Sequence, residues 1–252
     1  MNTPDWLHEK SLPTEETFDE FVKQFGGHKI SDSLSKSPSF NNADYLFHNE
    51  NVIAELKNLQ TDFGQNVKFK EQHCELVKKY LSENLISIDS LLGHDELPKE
   101  FKKEFIRLFR PPISRILKKA NKQIKQTKQE LKLSSADGIL LLVNDDFVSL
   151  EPEFILGIMG EILSHSYQSI DAFVYLTLDH YVEIPNNDYA NLLWIPLYSG
   201  RESNHLSDFI NRLGNDWGKF LETKIGLFDN KVITDDPKAF LQAKAIPQRP
   251  LK

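Results

Sequence analysis

Residues 43–57 read Ala43-Asp44-Tyr45-Leu46-Phe47-His48-Asn49-Glu50-Asn51-Val52-Ile53-Ala54-Glu55-Leu56-Lys57, two short apolar runs around a polar tetrapeptide. The runs Tyr45-Leu46-Phe47 and Val52-Ile53-Ala54 have the composition of strands, and His48-Asn49-Glu50-Asn51 that of a tight connection. With Asn49 and Glu50 as the loop, position 48 pairs with 51, 47 with 52, and Asp44 comes to face Glu55. Residues opposed in this way have Cβ atoms about 4.5–5.5 Å apart, and like charges there are destabilising. Two facing carboxylates need a reason to exist. A divalent cation is the simplest one, because Mg2+ is held by one or two carboxylates, with water and substrate phosphate completing its shell. The period of two puts Lys57 on the face of Glu55, with Leu56 pointing away.

An Asp, a hairpin and then Glu-x-Lys resembles the core of the PD-(D/E)XK nucleases, the restriction-endonuclease-like superfamily. The resemblance implies that Asp44 and Glu55 hold the metal, Mg2+ with Mn2+ as a substitute. It also implies that the Leu56 carbonyl faces the metal and that Lys57 assists the attacking water. Ala43 stands where the family pattern has its leading Pro. Three further Glu-x-Lys triplets, Glu100-Phe101-Lys102, Glu130-Leu131-Lys132 and Glu222-Thr223-Lys224, fall in stretches with helical patterning. Only Glu55-Leu56-Lys57 lies in a β-type run with an acid at hairpin distance upstream. The bland description of the same residues is a solvated Glu and Lys on a sheet face, with Asp44 ending a loop.

The resemblance implies an α/β fold whose core runs helix, β-meander, crossover helix, further strand, and the flanking sequence can be read in that order. Thr14 can cap a helix in which Glu15 and Glu16 form the first turn and Phe18, Phe21, Val22 and Phe25 recur at helical spacing until Gly26-Gly27. Some relatives add an acid from this helix, for which Glu16 and Glu20 are candidates beside their ordinary role on a solvated face. Ser31 to Asn42, rich in Ser, Asn and Pro, reads as a loop. Residues 65–111 have helical periodicity, punctuated by Pro98 and Pro111-Pro112, and read as a helical insertion.

Ile113, Ile116, Leu117, Ala120, Ile124 and Leu131 then mark one apolar stripe of a crossover helix. The rest of its surface is basic or amidic. Gln123-Ile124-Lys125-Gln126-Thr127 is similar to the Gln-x-x-x-Tyr motif that some branches of the superfamily carry on this helix, with Thr127 in place of Tyr. By that likeness Gln123 reaches the active site, or Lys122 or Gln126 does so in a shifted register. The helix leads to Gly138-Ile139-Leu140-Leu141-Leu142-Val143-Asn144, an unbroken apolar run expected of a strand buried on both faces. Helices over 154–163 and 206–221 and strands over 172–178 and 192–197 continue the alternation of an α/β fold. Asp145-Asp146 reads as a turn ending a strand. The chain thus reads as one α/β domain over 1–228 with the insertion at 65–111 and an irregular tail over 229–252.

The net charge of −7 alone argues against a nucleic-acid partner, but the charge is unevenly distributed. Residues 99–132 hold twelve Lys or Arg against three Glu, a local balance of +9, leaving −16 elsewhere. Such clustering is the electrostatic footprint of phosphate binding, and Arg115, Lys118, Lys119, Lys122 and Lys125 are the side chains expected to hold a nucleic-acid backbone. The single Cys, Cys74, excludes a disulfide framework and a thiolate metal cluster. No His spacing suits zinc, and there is no phosphate-binding Gly-rich loop. No apolar run has the length of a membrane span, and Met1-Asn2-Thr3-Pro4-Asp5 lacks a secretion signal, so the expected location is cytoplasmic. Trp194 and Trp217 sit in apolar context and read as core or semi-core.

These readings combine into one expectation: a Mg2+-dependent nuclease hydrolysing phosphodiester bonds, with DNA preferred over RNA on the strength of the resemblance. Catalysis falls to Asp44, Glu55, Lys57 and Gln123. The rival expectations are a non-catalytic subunit that keeps the fold within a larger defence or repair complex, and an interaction protein whose basic helix meets an acidic partner. Strandedness, specificity and oligomeric state, a homodimer included, are left open.

Overall fold

The computed structural model describes residues 12–34, 40–59, 63–92, 94–145, 147–203, 205–234, 236, 240 and 242–246. Asp146, the N-terminal pentapeptide, and Pro237, Pro247 and Pro250 of the tail lie outside the described residues. The chain folds as α/β around a mixed six-stranded sheet. In chain order the elements are α1 (Thr14–Gln24), β1 (His28–Lys29), α2 (Ile30–Ser33), β2 (Tyr45–Phe47), β3 (Val52–Leu59), α3 (Val67–Ser82), α4 (Ile88–Leu91) and α5 (Lys99–Glu130). There follow β4 (Asp137–Asn144), α6 (Pro152–His165), β5 (Ala172–Thr177), β6 (Val182–Glu183), β7 (Trp194–Tyr198), α7 (Leu206–Ile225) and β8 (Lys244–Ala245).

The sheet order is β1-β2-β3-β4-β5-β7. The β1/β2 and β2/β3 pairs are antiparallel, β3/β4 and β4/β5 parallel, and β5/β7 antiparallel. Two successive parallel crossovers in one direction across a sheet fall on the same face when both have the favoured right hand. Accordingly α5 and α6 share one face, burying Phe109, Ile113, Leu117, Ala120 and Ile124 with Ile155, Met159 and Ile162. The other face is left to α1 and α7, which bury Phe18, Phe21 and Val22 with Phe209, Leu213, Trp217 and Phe220. Covered on both sides, β4 is buried at every residue from Asp137 to Asn144, as its unbroken apolar run requires. Trp217 is core, and Trp194 packs at its margin.

The structure corrects several sequence expectations. Thr14 is not the cap of α1: Pro13 holds the N-cap position, and the Thr14 hydroxyl instead accepts from Asn58 Nδ2 at 2.8 Å. Ser31 to Asn42 is not wholly loop, because Ile30–Ser33 forms a short helix that buries Ile30; residues 35–39 lie outside the described residues. The tail is not irregular throughout, since Lys244–Ala245 pairs with Val182–Glu183.

The largest correction is at Pro111-Pro112. They lie inside α5, whose 32 residues join the end of the helical insertion to the crossover helix without a break. A proline in a helix interior costs about 3 kcal/mol through its lost N–H and its clash with the preceding turn. Here Phe101, Phe109, Ile113, Leu117, Ala120 and Ile124 are all buried along one side. Burying each large side chain contributes roughly 1.5–3 kcal/mol, so the stripe outweighs the prolines. Ring contacts bind the insertion to the main core: Phe69 lies 4.5 Å from Phe109, whose centroid is 6.2 Å from that of Phe147. Leu76, Tyr80, Ile86 and Phe101 form a small core of the insertion's own.

Candidate active site

The hairpin has the expected register, with Tyr45 opposite Ala54, Leu46 opposite Ile53 and Phe47 opposite Val52. Asn51 N–H closes the turn on His48 O at 3.2 Å, and Asn51 takes the positive φ, 53°, that this turn needs. One position further the ladder changes. Asp44 N–H donates to Ala54 O at 3.2 Å, and an Asp44 carboxylate oxygen replaces the main-chain acceptor for Leu56 N–H at 2.8 Å. Ile30 N–H donates to Asp44 O at 2.8 Å, fixing the residue from the β1 side.

Alternation along β3 separates its side chains. Val52, Ala54 and Leu56 enter the core under α1 and α7, whereas Ile53 and Leu59 enter the core under α5. Glu55 and Lys57 share the second face, with α5 passing over them. Glu55 is fully buried, at 0% exposure. Its Oε1 is in close contact with the Lys57 ammonium, and its Oε2 has no hydrogen-bond partner. Lys57 Nζ also donates to Leu56 O at 3.2 Å.

Burial raises both acids. The Asp44 carboxyl stands above its usual range because of desolvation, which the Leu56 N–H and the Lys57 charge only partly offset. Desolvation and then the Asp44 charge push Glu55 up to about 8, against the pull of Lys57 and Lys119. Lys57 thus contacts Glu55, and the charges of Asp44, Glu55 and Lys57 act on one another.

Helix α5 meets this place through one edge. Thr127, buried at 0% exposure, accepts from Ala43 N–H at 2.8 Å. One turn back, Gln123 Nε2 donates to Asn42 O at 2.9 Å, and its Oε1 is buried without a partner. A further turn back stands Lys119, whose charge is felt at Glu55. Gln123 thus borders the site through the segment before Asp44. Of the shifted-register alternatives, Lys122 is exposed and Gln126 has a buried, unpartnered Oε1.

Arg115, Lys118, Lys119, Lys122 and Lys125 are all exposed. Among the described residues none of the five pairs with a carboxylate. By contrast, Lys128 is engaged with Asp171 and Arg110 with Glu161. Of the candidate acids on α1, Glu20 is bound to Lys224 on the far side; it is Glu15 whose charge reaches Asp44. Sequence reasoning missed Glu15 and the role of Thr127. The first had no distinguishing signal, while the second was visible as a polar residue four positions from Gln123 on the same helix edge.

Among the described residues no group of three or more His, Cys, Asp or Glu side chains converges as a metal cluster. A two-carboxylate set nevertheless fits a hard cation that keeps water and takes substrate oxygens, and the unpartnered Glu55 Oε2 offers a buried ligand atom. Among the described residues no helix is long and apolar enough to cross a membrane. Cys74 is exposed on α3. Comparison with protein-family models, with curated proteins and with solved structures finds no match.

Proposed function

We propose that the protein is a metal-dependent nuclease of the restriction-endonuclease-like class, acting on DNA in preference to RNA. One observation carries the reading: Glu55 is buried with an unpartnered oxygen and feels the charge of a second desolvated carboxylate, Asp44. Like charges in a low-dielectric site are strongly disfavoured, and a bound cation removes the conflict. The order α1, β1–β3, α5, β4 is in keeping with the core implied by the family resemblance.

Asp44 and Glu55 would hold Mg2+ or Mn2+, with the Leu56 carbonyl beside them. When bound, such a cation supplies Lewis acidity at a phosphate and makes water a better nucleophile. Lys57 orients the attacking water or stabilises charge building on the phosphate oxygens. Gln123 fixes the chain entering Asp44. Lys119, whose charge reaches Glu55, and with it Arg115, Lys118, Lys122 and Lys125 hold the backbone of the nucleic acid along α5. The test is cleavage of single- and double-stranded DNA and RNA with Mg2+ or Mn2+, run on the wild type, Glu55→Gln and Lys57→Ala. Metal-dependent cleavage that both variants lose supports the reading; full cleavage by both variants rejects it.

A second reading is favoured by one feature of the same hairpin. Asp44 already accepts from Leu56 N–H and Glu55 already contacts Lys57, so the acids have protein partners. A non-catalytic nucleic-acid-binding subunit would bind DNA through α5 and cleave it with no metal. Failure to bind DNA even at low salt, where phosphate contacts are strongest, would instead favour a protein-interaction role.

A further inference from the structure

We propose that Thr127 is a positioning residue for Asp44, acting through the Ala43 amide; the inference rests on the reading of Asp44 and Glu55 as a cation site. Asp44 ends the β2/β3 ladder, so its placement depends on what fixes the chain just before it. Two side chains of α5 do this. Thr127 Oγ1 accepts from Ala43 N–H, and Gln123 donates to Asn42 O. The Thr127 bond lies wholly inside the protein, where both residues are at 0% exposure. A threonine at this point has one polar atom and spends it on the main chain adjoining an acid. A requirement for packing alone would be met equally by Val, which has the same shape without the hydroxyl.

The geometry links the helix carrying the basic side chains to the acid that the hairpin delivers. Thr127 Oγ1 of α5, accepting from Ala43 N–H, and Ile30 N–H, donating to Asp44 O, grip the chain on either side of the Asp44 side chain. Its carboxylate is thereby aimed along the Leu56 N–H toward the face of Glu55. Loss of the Thr127 hydroxyl frees one grip and lets Asp44 drift from Glu55. Groups that orient metal ligands typically change affinity by about 10–100-fold when removed.

The experiment measures Mn2+ affinity by electron paramagnetic resonance on the intact chain, with thermal melting as the control for folding. Wild type, Glu55→Gln, Thr127→Val, Thr127→Ser and Thr127→Ala are compared. Thr127→Val should weaken Mn2+ binding by about tenfold or more, while Thr127→Ser should stay within about threefold of wild type. Thr127→Ser and Thr127→Ala lose the same methyl group and differ only by the hydroxyl. Their affinities should therefore differ by about tenfold even if Thr127→Val does not fold. Equal affinity in Ser and Ala, or wild-type affinity in a folded Thr127→Val, overturns the role of Thr127 and leaves the cation site standing. Absence of Mn2+ binding in the wild type, or its full retention in Glu55→Gln, overturns the cation site and the Thr127 proposal with it.

Discussion

The two faces of β3 are built on opposite principles. Under α1 and α7, Val52, Ala54 and Leu56 meet an aromatic core in which Phe18 stacks on Trp217 at 4.4 Å and Phe47 meets Phe209 edge-on at 5.1 Å. Under α5, the alternate positions place Glu55 and Lys57 between Ile53 and Leu59, burying a carboxylate whose second oxygen has no partner. An unsatisfied buried acceptor costs about 1–3 kcal/mol, more when charged. One face therefore supplies stability, and the other holds strain, which in the proposed reading a bound cation relieves. The cost is tolerated because apolar burial on both faces is large and the acids lie at one edge of the α5 contact.

Substitutions can break this division. Glu55→Gln or Lys57→Ala should lower metal-dependent cleavage by roughly 10³-fold, with the far-ultraviolet circular dichroism of the fold unchanged. Phe18→Ala, on the opposite face, should cost about 3–5 kcal/mol of folding stability and leave cleavage per folded molecule unaltered. Denaturant titration alongside a cleavage assay would reveal any crossing of these effects, which would contradict the division.

The pH dependence sharpens it. Glu55 is raised from an ordinary 4.5 to about 8 in the fold, so the native protein retains a proton that the unfolded chain releases. Its contribution is complete below about pH 4.5 and is lost as pH rises toward 8. Metal-free wild type should thus lose about 1–3 kcal/mol relative to Glu55→Gln between pH 5 and pH 9, a shift of several degrees in melting temperature. Saturating Mg2+ should abolish the difference. A melting profile identical in the two proteins across this range would mean that Glu55 carries no such strain.

Smaller effects belong to the surface. Lys119→Ala should weaken DNA binding across all sequences and lower the slope of log affinity against log salt by about 1. Lys224→Ala removes a surface pair with Glu20 and should change stability by less than about 1 kcal/mol. The comparison matters because Lys224 also closes a Glu-x-Lys triplet, but on a helix, where residues two apart do not share a face.

Much of this architecture was legible in the chain. The composition of 45–47 and 52–54 and the turn residues between them set the hairpin register, and hence the meeting of Asp44 with Glu55, because a slip of one residue would turn every side chain over. The apolar run over 138–144 announced a strand buried on both faces. Pro111-Pro112 misled, because local helix-breaking was overridden by tertiary burial on either side of the pair. Gln123, expected to reach the acids, bonds instead to Asn42 O in the segment before Asp44. Its bond to Asn42 and the Thr127 bond to Ala43 could not be read, since they depend on how two segments more than eighty residues apart come together. The influence of the exposed Glu15 on Asp44 was hidden for the same reason.

The central claim is that Asp44 and Glu55 share a cation, and anomalous scattering addresses it directly. Crystals soaked in Mn2+ and measured at the manganese edge should contain one peak within bonding distance of both carboxylates, absent from Glu55→Gln crystals. Density for the Lys57 ammonium seated on Glu55, with no anomalous peak between the two acids at saturating Mn2+, would contradict the account.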